Sequence, residues 1–319
     1  MMIKLDLKDR KILYELDSNS RQPVSKIAKA VRLNKGTVNY KIKQMEDAGI
    51  ISGYYAMIDN TKLGYLMFRI YLKFVNTTAE KEEEIIRWAK NSKQVGVVGR
   101  IETVYDLSLM VWAHDVYEFD DFLHSFKKRF RKYFWQEKVH LYTKVWHFRR
   151  KYLLEHSKPQ DFEFVGSNRP EKCDDLDLEI LGLLAQDARM PVVQMSSKLK
   201  TPERTVAFRI RQLEKQKVIQ GYRANINLEK IGYEYYKLNL CLQDYDKFDE
   251  LFEFARNHPN VSYIDRTASE LDFEIDVEVE SKRQLLKMVA EMKSRFHVRE
   301  IEFLSYSEYY KIESLPRAS

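Results

Sequence analysis

The same pattern of about sixty residues occurs twice in this chain of 319 residues. Residues 5–65 align with residues 173–233 without a gap at an offset of 168, and about a third of the aligned positions are identical. The identical pairs include Asp6 and Asp174, Arg21 and Arg189, Pro23 and Pro191, Gly53 and Gly221, and Gly64 and Gly232. Chance does not produce this agreement, so the chain must build one module twice.

The remainder of each unit repeats in its apolar pattern, which predicts the ferredoxin-like element order βαββαβ. In the first unit we expect strands at 67–75, 95–101, 105–112 and 136–148, and helices at 79–91 and 116–133. In the second unit we expect strands at 236–242, 261–266, 271–280 and 299–310, and helices at 247–257 and 282–295. The alternation from Leu271 to Val279 predicts a half-buried strand.

Each sixty-residue copy has the pattern of a winged helix-turn-helix. In the first copy Asp6 is a predicted N-cap, a short helix follows at Val24–Val31, and Asn34 caps the helix after it. Ile51–Ile58 is then predicted to form a strand pair, the wing. In the second copy we expect Thr201 to cap the corresponding helix, with a proline at its first position.

The outward side of the third helix carries the residue types that read DNA in the major groove, namely Arg, Lys, Gln and Thr. Neighbouring lysines suit phosphate contacts. The predicted DNA-binding residues of the first copy are Lys26, Lys35, Gly36, Thr37, Tyr40, Lys41, Lys43 and Gln44. Those of the second copy are Arg204, Thr205, Phe208, Arg209, Arg211 and Gln212. The alternative is a module for protein contacts with a solvated basic face.

Charge favours DNA contact in the first half of the chain. The net charge is +6, with 30 basic and 21 acidic residues in 1–165 against 24 and 27 in 166–319. A basic half points to a polyanionic partner. Residues 3–60 have a net charge of +4, so charge reversal in the first copy should lower the affinity for DNA more than charge reversal in the second copy. The positions compared are Lys35, Lys41 and Lys43 against Arg204, Arg209 and Arg211.

The sequence resembles the Lrp/AsnC (feast/famine) family of transcriptional regulators. The resemblance lies in LDLKDRKIL, PVSKIAKAVRLNKGTVNYKIKQMEDAGII and GYYAMIDNTKLGY, and in TVAFRIRQLEKQKVIQGYRANINLEKIGY of the second copy. It implies an α+β fold with two winged helix-turn-helix domains, each followed by a βαββαβ domain of the effector-binding type. It also implies DNA binding through the recognition helices and assembly through the sheets. The chain looks like a covalently linked pair of such units.

The domain boundaries follow from this organisation. We expect winged helix-turn-helix domains at 1–60 and 173–228, and ferredoxin-like domains at 61–155 and 229–319. The segment 156–172 contains Pro, Gly, Ser and Asn without a clear period, and we interpret it as the linker.

The family often has a Gly-x-Tyr-Asp turn near its amino-acid effector pocket, and both units depart from that pattern. The candidate effector residues that remain are Gly99, Arg100, Asp106, Arg266 and Asp272. The alternative is that these residues only stabilise turns. A small-molecule effector therefore stays an expectation of the resemblance alone.

An enzymatic role is not expected. Siroheme decarboxylases share the architecture and carry a His-Asn-Tyr stretch on the second strand, whereas residues 96–100 and 262–266 contain no histidine that could act as a general acid. Two cysteines exclude a disulfide framework, and the histidines lack metal-ligand spacing. We predict no catalytic residue, no metal and no cofactor.

The sequence thus predicts a sequence-specific DNA-binding transcriptional regulator that uses two recognition helices in one chain. Its expected partners are double-stranded DNA and, through the sheets, a second unit of the same kind. We expect a cytoplasmic, nucleoid-associated protein, because no signal peptide or membrane span is evident. The alternatives are a weakly specific nucleoid-type binder, a tetrapyrrole enzyme of the same fold and a protein-interaction scaffold.

Overall fold

A computed structural model describes residues 3–154, 163–166 and 169–316. The first unit consists of α1 (Leu7–Ser18), α2 (Val24–Val31), α3 (Lys35–Asp47), β1 (Ile51–Ile58), β2 (Leu66–Phe74), α4 (Ala79–Asn91), β3 (Val95–Ile101), β4 (Leu107–Ala113), α5 (Val116–Phe130) and β5 (Phe134–His147). A short strand, β6 (Glu163–Val165), follows within the predicted linker. The rest of that linker lies partly outside the described residues.

The second unit repeats the same order of elements. It consists of α6 (Asp175–Gln186), α7 (Val192–Leu199), α8 (Glu203–Lys215), β7 (Ile219–Ile226), β8 (Glu234–Leu242), α9 (Phe248–Asn257), β9 (Val261–Ala268), β10 (Phe273–Val279), α10 (Lys282–Phe296) and β11 (Val298–Ile312). The predicted boundaries agree with these bounds to within about three residues, so the predicted fold class is confirmed.

Short-range capping explains where the helices begin. At α1 the Asp6 carboxylate accepts the Asp9 N–H at 2.7 Å while the Asp9 carboxylate accepts the Asp6 N–H, which is a capping box. Asn34 accepts the Thr37 N–H at 2.7 Å and caps α3, as predicted. The predicted cap at Thr201 is wrong: its hydroxyl donates to the Leu199 carbonyl, and α8 begins after Pro202 without a side-chain cap.

The predicted wing strand pair is not formed within one copy. Ile51–Ile58 is a single strand that pairs antiparallel with β7 of the other unit, with Tyr54 opposite Ala224. Eight residues without an internal turn are too few for a hairpin with two useful arms, so β1 satisfies its backbone groups on the equivalent strand of the second copy. The two helix-turn-helix modules therefore share one two-stranded sheet.

The shared sheet also joins the two module cores. Ala224 and Ile226 of β7 pack in the apolar core of α1, α2 and α3, and Ala56 and Ile58 of β1 pack in the core of α6, α7 and α8. Separating the modules would expose both cores to water, at about 25 cal/mol for each Å² of apolar surface. The two modules thus form one body.

Within the described residues, eight strands close into a ring in the order β2-β4-β3-β11-β8-β10-β9-β5, and β5 pairs again with β2. The units meet at two equivalent joints, β3 with β11 and β5 with β9. The helices of each ferredoxin-like domain pack on the outside of the ring over two further apolar cores. Closure leaves these strands without a free edge and joins the units a second time.

The prediction of a half-buried strand at the alternating segment is wrong. All seven residues of β10 are buried. Phe273, Ile275 and Val277 pack on the outer helices, so the intervening Glu274 and Asp276 lie on the other face, inside the ring. Because the ring is closed, the face that looked like a solvent face in the sequence is a second interior.

Candidate nucleic-acid interface

The third helix of each module, α3 or α8, buries one side and leaves the other open. In α3 the buried residues are Val38, Ile42 and Met45, and their counterparts in α8 are Val206, Ile210 and Leu213. On the opposite sides Tyr40 is 68% exposed and Phe208 is 57% exposed. Large aromatic side chains at matching exposed positions are available to a partner.

The structure places most of the predicted DNA-contact residues on these open faces. The exposed ones are Lys26, Lys35, Gly36, Tyr40, Lys43, Gln44, Arg204, Phe208, Arg211 and Gln212. The partly buried ones are Thr37, Lys41, Thr205 and Arg209. The two exposed sets form equivalent basic and polar surfaces on the two modules.

Lys41 and Arg209 do not belong to the open faces. Lys41 Nζ lies 3.0 Å from Asp6 and 2.7 Å from Asp9, and its side chain is only 15% exposed. Arg209 makes the same contacts with Asp174 and Asp177, at 2.8 and 3.2 Å. Both cations therefore fasten the recognition helix to the capping box of the first helix in their module.

The contact of Lys41 with Asp6 also changes the proton affinities of these two groups. The Asp9 backbone N–H, together with Lys41, lowers the pKa of Asp6 to about 2. Partial burial opposes the charged form of Lys41, but its hydrogen bonds to Asp9 and Asp6 prevail and raise its pKa. The pair of Lys41 with Asp6 thus stays charged at neutral pH. Lys41 and Arg209 both spend their hydrogen bonds inside their own module, which disfavours a phosphate contact.

The two modules contact each other directly around a pseudo-twofold axis. The Ser20 N–H donates to the Tyr222 carbonyl and the Ala188 N–H donates to the Tyr54 carbonyl, each at 2.9 Å. Arg21 Nη1 donates to the Ala188 carbonyl at 2.6 Å. These contacts join the loop after the first helix of each module to the shared sheet, so the orientation of α3 relative to α8 is fixed.

A buried ion network, which we call the Asp17 cluster, holds the first module to the ring. It consists of Asp17, Arg150, Arg223, Glu278 and Tyr152. Asp17 is fully buried and accepts from Arg223 at 2.7 Å and from Arg150 at 2.6 Å. Arg150 also donates to Glu278 at 2.8 Å. Burial opposes ionisation, but the two guanidinium groups hold the pKa of Asp17 below its usual range.

The sequence analysis missed the Asp17 cluster because the duplication hides it. The positions equivalent to Asp17 and Arg223 in the other copy are Ala185 and Tyr55, so the cluster exists on one side of the pseudo-twofold axis. A signal was nevertheless present: an aspartate on the apolar side of the first helix, after Leu13 and Leu16, needs a buried cation.

A second buried cluster lies inside the ring. Lys237 Nζ contacts Asp265 at 2.6 Å, Asp276 at 2.7 Å and Glu274 at 3.0 Å, and His140 Nδ1 lies 2.6 Å from Glu274. Burial raises the pKa of Asp265 to about 7, whereas the carboxylates raise the pKa of Lys237 despite its burial. One buried lysine thus faces three carboxylates that the closed ring removes from water, and the raised pKa of Asp265 reduces the negative charge among them.

The candidate effector residues do not form one site. The Asp106 carboxylate accepts the Phe74 N–H and the Asp272 carboxylate accepts the Leu242 N–H, each at 2.6 Å. Arg100 pairs with Glu82 at 3.0 Å, Gly99 lies opposite Tyr309 in the sheet, and Arg266 is exposed. This arrangement supports the alternative that the two aspartates stabilise turns.

Two further features concern the described part of the chain. It contains no group of three or more His, Cys, Asp and Glu side chains placed to hold a metal ion. None of its helices combines the length and apolar character that crossing a bilayer requires.

Comparison with known proteins gives matches to both modules. The family model for winged helix-turn-helix DNA-binding matches residues 5–52, and the model for the AsnC-type helix-turn-helix domain matches residues 174–214. The proline dehydrogenase transcriptional activator of Rhodobacter capsulatus is 34% identical over 116 residues, which cover 36% of this chain and 75% of that protein. The regulatory protein AsnC of Haemophilus influenzae is 29% identical over 124 residues, 39% of this chain and 79% of its own.

A solved structure matches the whole tandem arrangement. The siroheme decarboxylase NirDL aligns with a TM-score of 0.67 and 14% identity, covering 98% of this chain and 94% of its own. At that identity the likeness concerns the fold alone. With the two modules and the sequence relatives, this chain belongs to the Lrp/AsnC family of DNA-binding transcriptional regulators and carries the family's unit twice.

Proposed function

We propose that this protein is a sequence-specific transcriptional regulator that reads DNA with both recognition helices of a single chain. The observation that carries the proposal is the pairing of β1 with β7, which gives each module a strand of the other module's core. A single chain therefore presents α3 and α8 at a fixed separation, as a dimeric regulator does with two chains. The protein can therefore contact two half-sites without first forming a dimer.

The chemistry of the open faces suits a duplex. Lys26 on α2 and Lys35 at the start of α3 are exposed and can neutralise phosphates. Lys43 and Gln44 are exposed further along α3, where they can reach base edges. Tyr40 and Phe208 present apolar rings that pack on sugars or on the methyl group of thymine. Lys41 and Arg209 leave the proposed contact set because their charges are used inside each module.

The two faces differ, so the proposed operator is asymmetric. Gly36 stands where the second copy has Arg204, and Lys43 stands where it has Arg211. Arginine makes bidentate contacts with guanine that lysine and glycine cannot make. The half-site under α8 should therefore be richer in guanine contacts than the half-site under α3. Equal affinity for the selected site and for perfect palindromes of either half would contradict this assignment.

The test is a selection from genomic DNA fragments with a salt titration. The wild type is compared with Lys35→Glu/Lys43→Glu on α3 and with Arg204→Glu/Arg211→Glu on α8. The matched control is Lys287→Glu/Lys293→Glu, which reverses two exposed charges on α10, outside the ring. We expect the wild type and the control to enrich the same discrete sites, and each recognition-helix variant to lose them.

Two outcomes would overturn the proposal. Uniform enrichment with a steep salt dependence and no sequence preference would identify a nucleoid-type binder. Absence of binding at physiological salt would remove the DNA-binding role. A tetrapyrrole absorption band on the purified protein would then favour the activity named for the neighbour of the same fold.

A further inference from the structure

The first ferredoxin-like domain contains an open cavity that the proposed DNA-binding function does not use. Its volume is about 600 Å³. Its aromatic end, which we call the inner end, is lined by the half-buried Tyr65, the buried Trp112 and the exposed His114. The exposed Arg87 and Lys93 lie on its rim. The cavity lies where α4 ends and β2 begins, at the end of the first ferredoxin-like domain away from the β3–β4 turn, where Asp106 lies.

The equivalent place in the second unit is filled by the chain itself. A 3₁₀ turn at Lys151–Leu153 places the ring of Tyr152 on Tyr233, with ring centroids 4.2 Å apart and an interplanar angle of 24°. The Tyr152 hydroxyl donates to Glu278 and Lys151 Nζ donates to the Arg256 carbonyl. The aromatic ring thus covers the inner end of that site.

The duplication makes the two places directly comparable. Tyr65 corresponds to Tyr233 at an offset of 168, and Trp112 corresponds to Glu278 at the offset of 166 that relates the sheets. The cavity that remains in the second unit, about 550 Å³, is lined by outer residues of α9 and α10 and not by Tyr233. In the first unit Pro316 reaches the cavity, and the ring that stacks on Tyr65 is that of His114, a neighbour at the end of β4.

The inner end of the cavity is aromatic. A Cβ atom on Gly96 would lie 2.1 Å from the Trp112 indole, so glycine at this position is what allows the indole to lie there. Trp112 is 4% exposed, and its Nε1 has no hydrogen-bond partner among the described residues. Tyr65 and His114 stack with centroids 4.1 Å apart. The second unit has Ser262 and Glu278 instead, next to its own tyrosine.

The charge at the rim also differs between the units. Arg87 corresponds to Glu253, and Lys93 corresponds to Pro259, at the same offset of 166. Neither Arg87 nor Lys93 has an acidic partner within hydrogen-bonding distance in the described part of the chain.

Two carboxylates also line the cavity, and both have partners. Glu84 pairs with Lys81 and Arg129, and Glu118 accepts the His114 backbone N–H. The two cations without acidic partners therefore favour an anionic aromatic molecule in this pocket.

We propose that this cavity binds a planar aromatic carboxylate. Its ring takes the place that the Tyr152 ring takes in the second unit, between Tyr65 and Trp112. Its carboxylate faces Arg87 and Lys93. The proposal does not depend on the proposed DNA contacts, because binding is measured on the full chain without DNA.

The test is titration calorimetry with three indoles of the same ring size. Indole-3-acetate is the anionic probe, indole-3-acetamide is neutral and tryptamine is cationic. We expect indole-3-acetate to bind saturably with one site per chain. The acetamide should bind about tenfold more weakly, which corresponds to about 1.4 kcal/mol, and tryptamine should bind more weakly still.

Three variants locate the site. Arg87→Glu should lose at least about tenfold in affinity for indole-3-acetate, and Asn91→Trp should block the exposed mouth of the cavity. Lys90→Glu makes the same change of charge on an exposed neighbour that does not line the cavity, and it should bind as the wild type does. Circular dichroism checks that each variant is folded. Equal affinity for the three probes, unchanged binding in both cavity variants, or no saturable binding at millimolar concentrations would each overturn the proposal.

Discussion

Replacing Asp17 with asparagine tests whether the Asp17 cluster holds the first helix-turn-helix module to the ring. The carboxylate is fully buried and lies 2.6 Å from Arg150 Nη1 and 2.7 Å from Arg223 Nη2. It also accepts the Arg150 backbone N–H at 2.9 Å. Asparagine keeps the shape but removes the charge, so Arg150 keeps its pairing with Glu278 and Arg223 loses its carboxylate partner.

The expected loss of stability follows from the burial of the partners. Removing one member of a buried ion pair costs about 3–5 kcal/mol, because the remaining charge stays desolvated without compensation. Here Glu278 still pairs with Arg150 at 2.8 Å, so the uncompensated charge is that of Arg223. We therefore expect Asp17→Asn to lower the free energy of unfolding by about 3 kcal/mol.

The assay is urea unfolding followed by far-ultraviolet circular dichroism at neutral pH. The companion variant Asp17→Asn/Arg223→Gln removes the stranded charge, and it should be more stable than Asp17→Asn alone. Two additive losses would show that the residues do not interact. A loss below about 1 kcal/mol for Asp17→Asn would refute the reasoning, since it would mean that water reaches the guanidinium groups.

Three further predictions concern single residues. Lys41→Met should lower the free energy of unfolding by about 1 kcal/mol in a urea titration, because it breaks the partly buried pairs with the α1 capping box. The exposed Lys43 has no such role, so Lys43→Met should leave the free energy of unfolding unchanged. It should reduce the salt dependence of DNA binding by about one phosphate contact. Gly96→Ala should lower the stability measured by thermal melting by about 1–3 kcal/mol, because its Cβ would lie 2.1 Å from an indole carbon. The control Gly182→Ala, whose Cβ would have no neighbour within 4 Å, should leave the stability unchanged or raise it. Burial and the charge of Arg223 lower the pKa of His147 from 6.5 to about 3. Between these two pH values the unfolded chain therefore binds more protons than the folded chain. The free energy of unfolding thus falls as the pH is lowered through this range. The urea midpoint should drop by the equivalent of up to about 2 kcal/mol between pH 6.5 and about 5, and His147→Gln should show a smaller drop; an identical pH dependence in the two proteins would contradict this.

Much of the fold could be predicted because it depends on local signals. The capping box at Asp6 and Asp9 and the apolar side formed by Val38, Ile42 and Met45 specify their helices whatever the rest of the chain does. The open faces of the recognition helices follow from the same periodicity. The duplication then transfers each assignment to the second unit.

The candidate interface was predicted less completely, because a helical wheel gives direction but not partners. Lys41 and Lys43 both lie away from the buried side of α3. Lys41 nevertheless pairs with Asp6 and Asp9 at the start of α1, which lie 35 and 32 positions earlier in the chain. An outward position becomes a DNA contact only if no other element covers it.

The succession of helix-turn-helix modules and βαββαβ domains can be predicted from the sequence alone, because hydrophobic periodicity and helix capping act over a few residues. The pairing of β1 with β7 and the closure of eight strands of the described chain into a ring are evident only in the folded molecule. Which distant strands pair depends on which strand edges still have free backbone N–H and C=O groups once the two units meet. Closure of the ring then buries the polar side of β10. The same long-range packing left one aromatic cavity open and filled its counterpart with Tyr152.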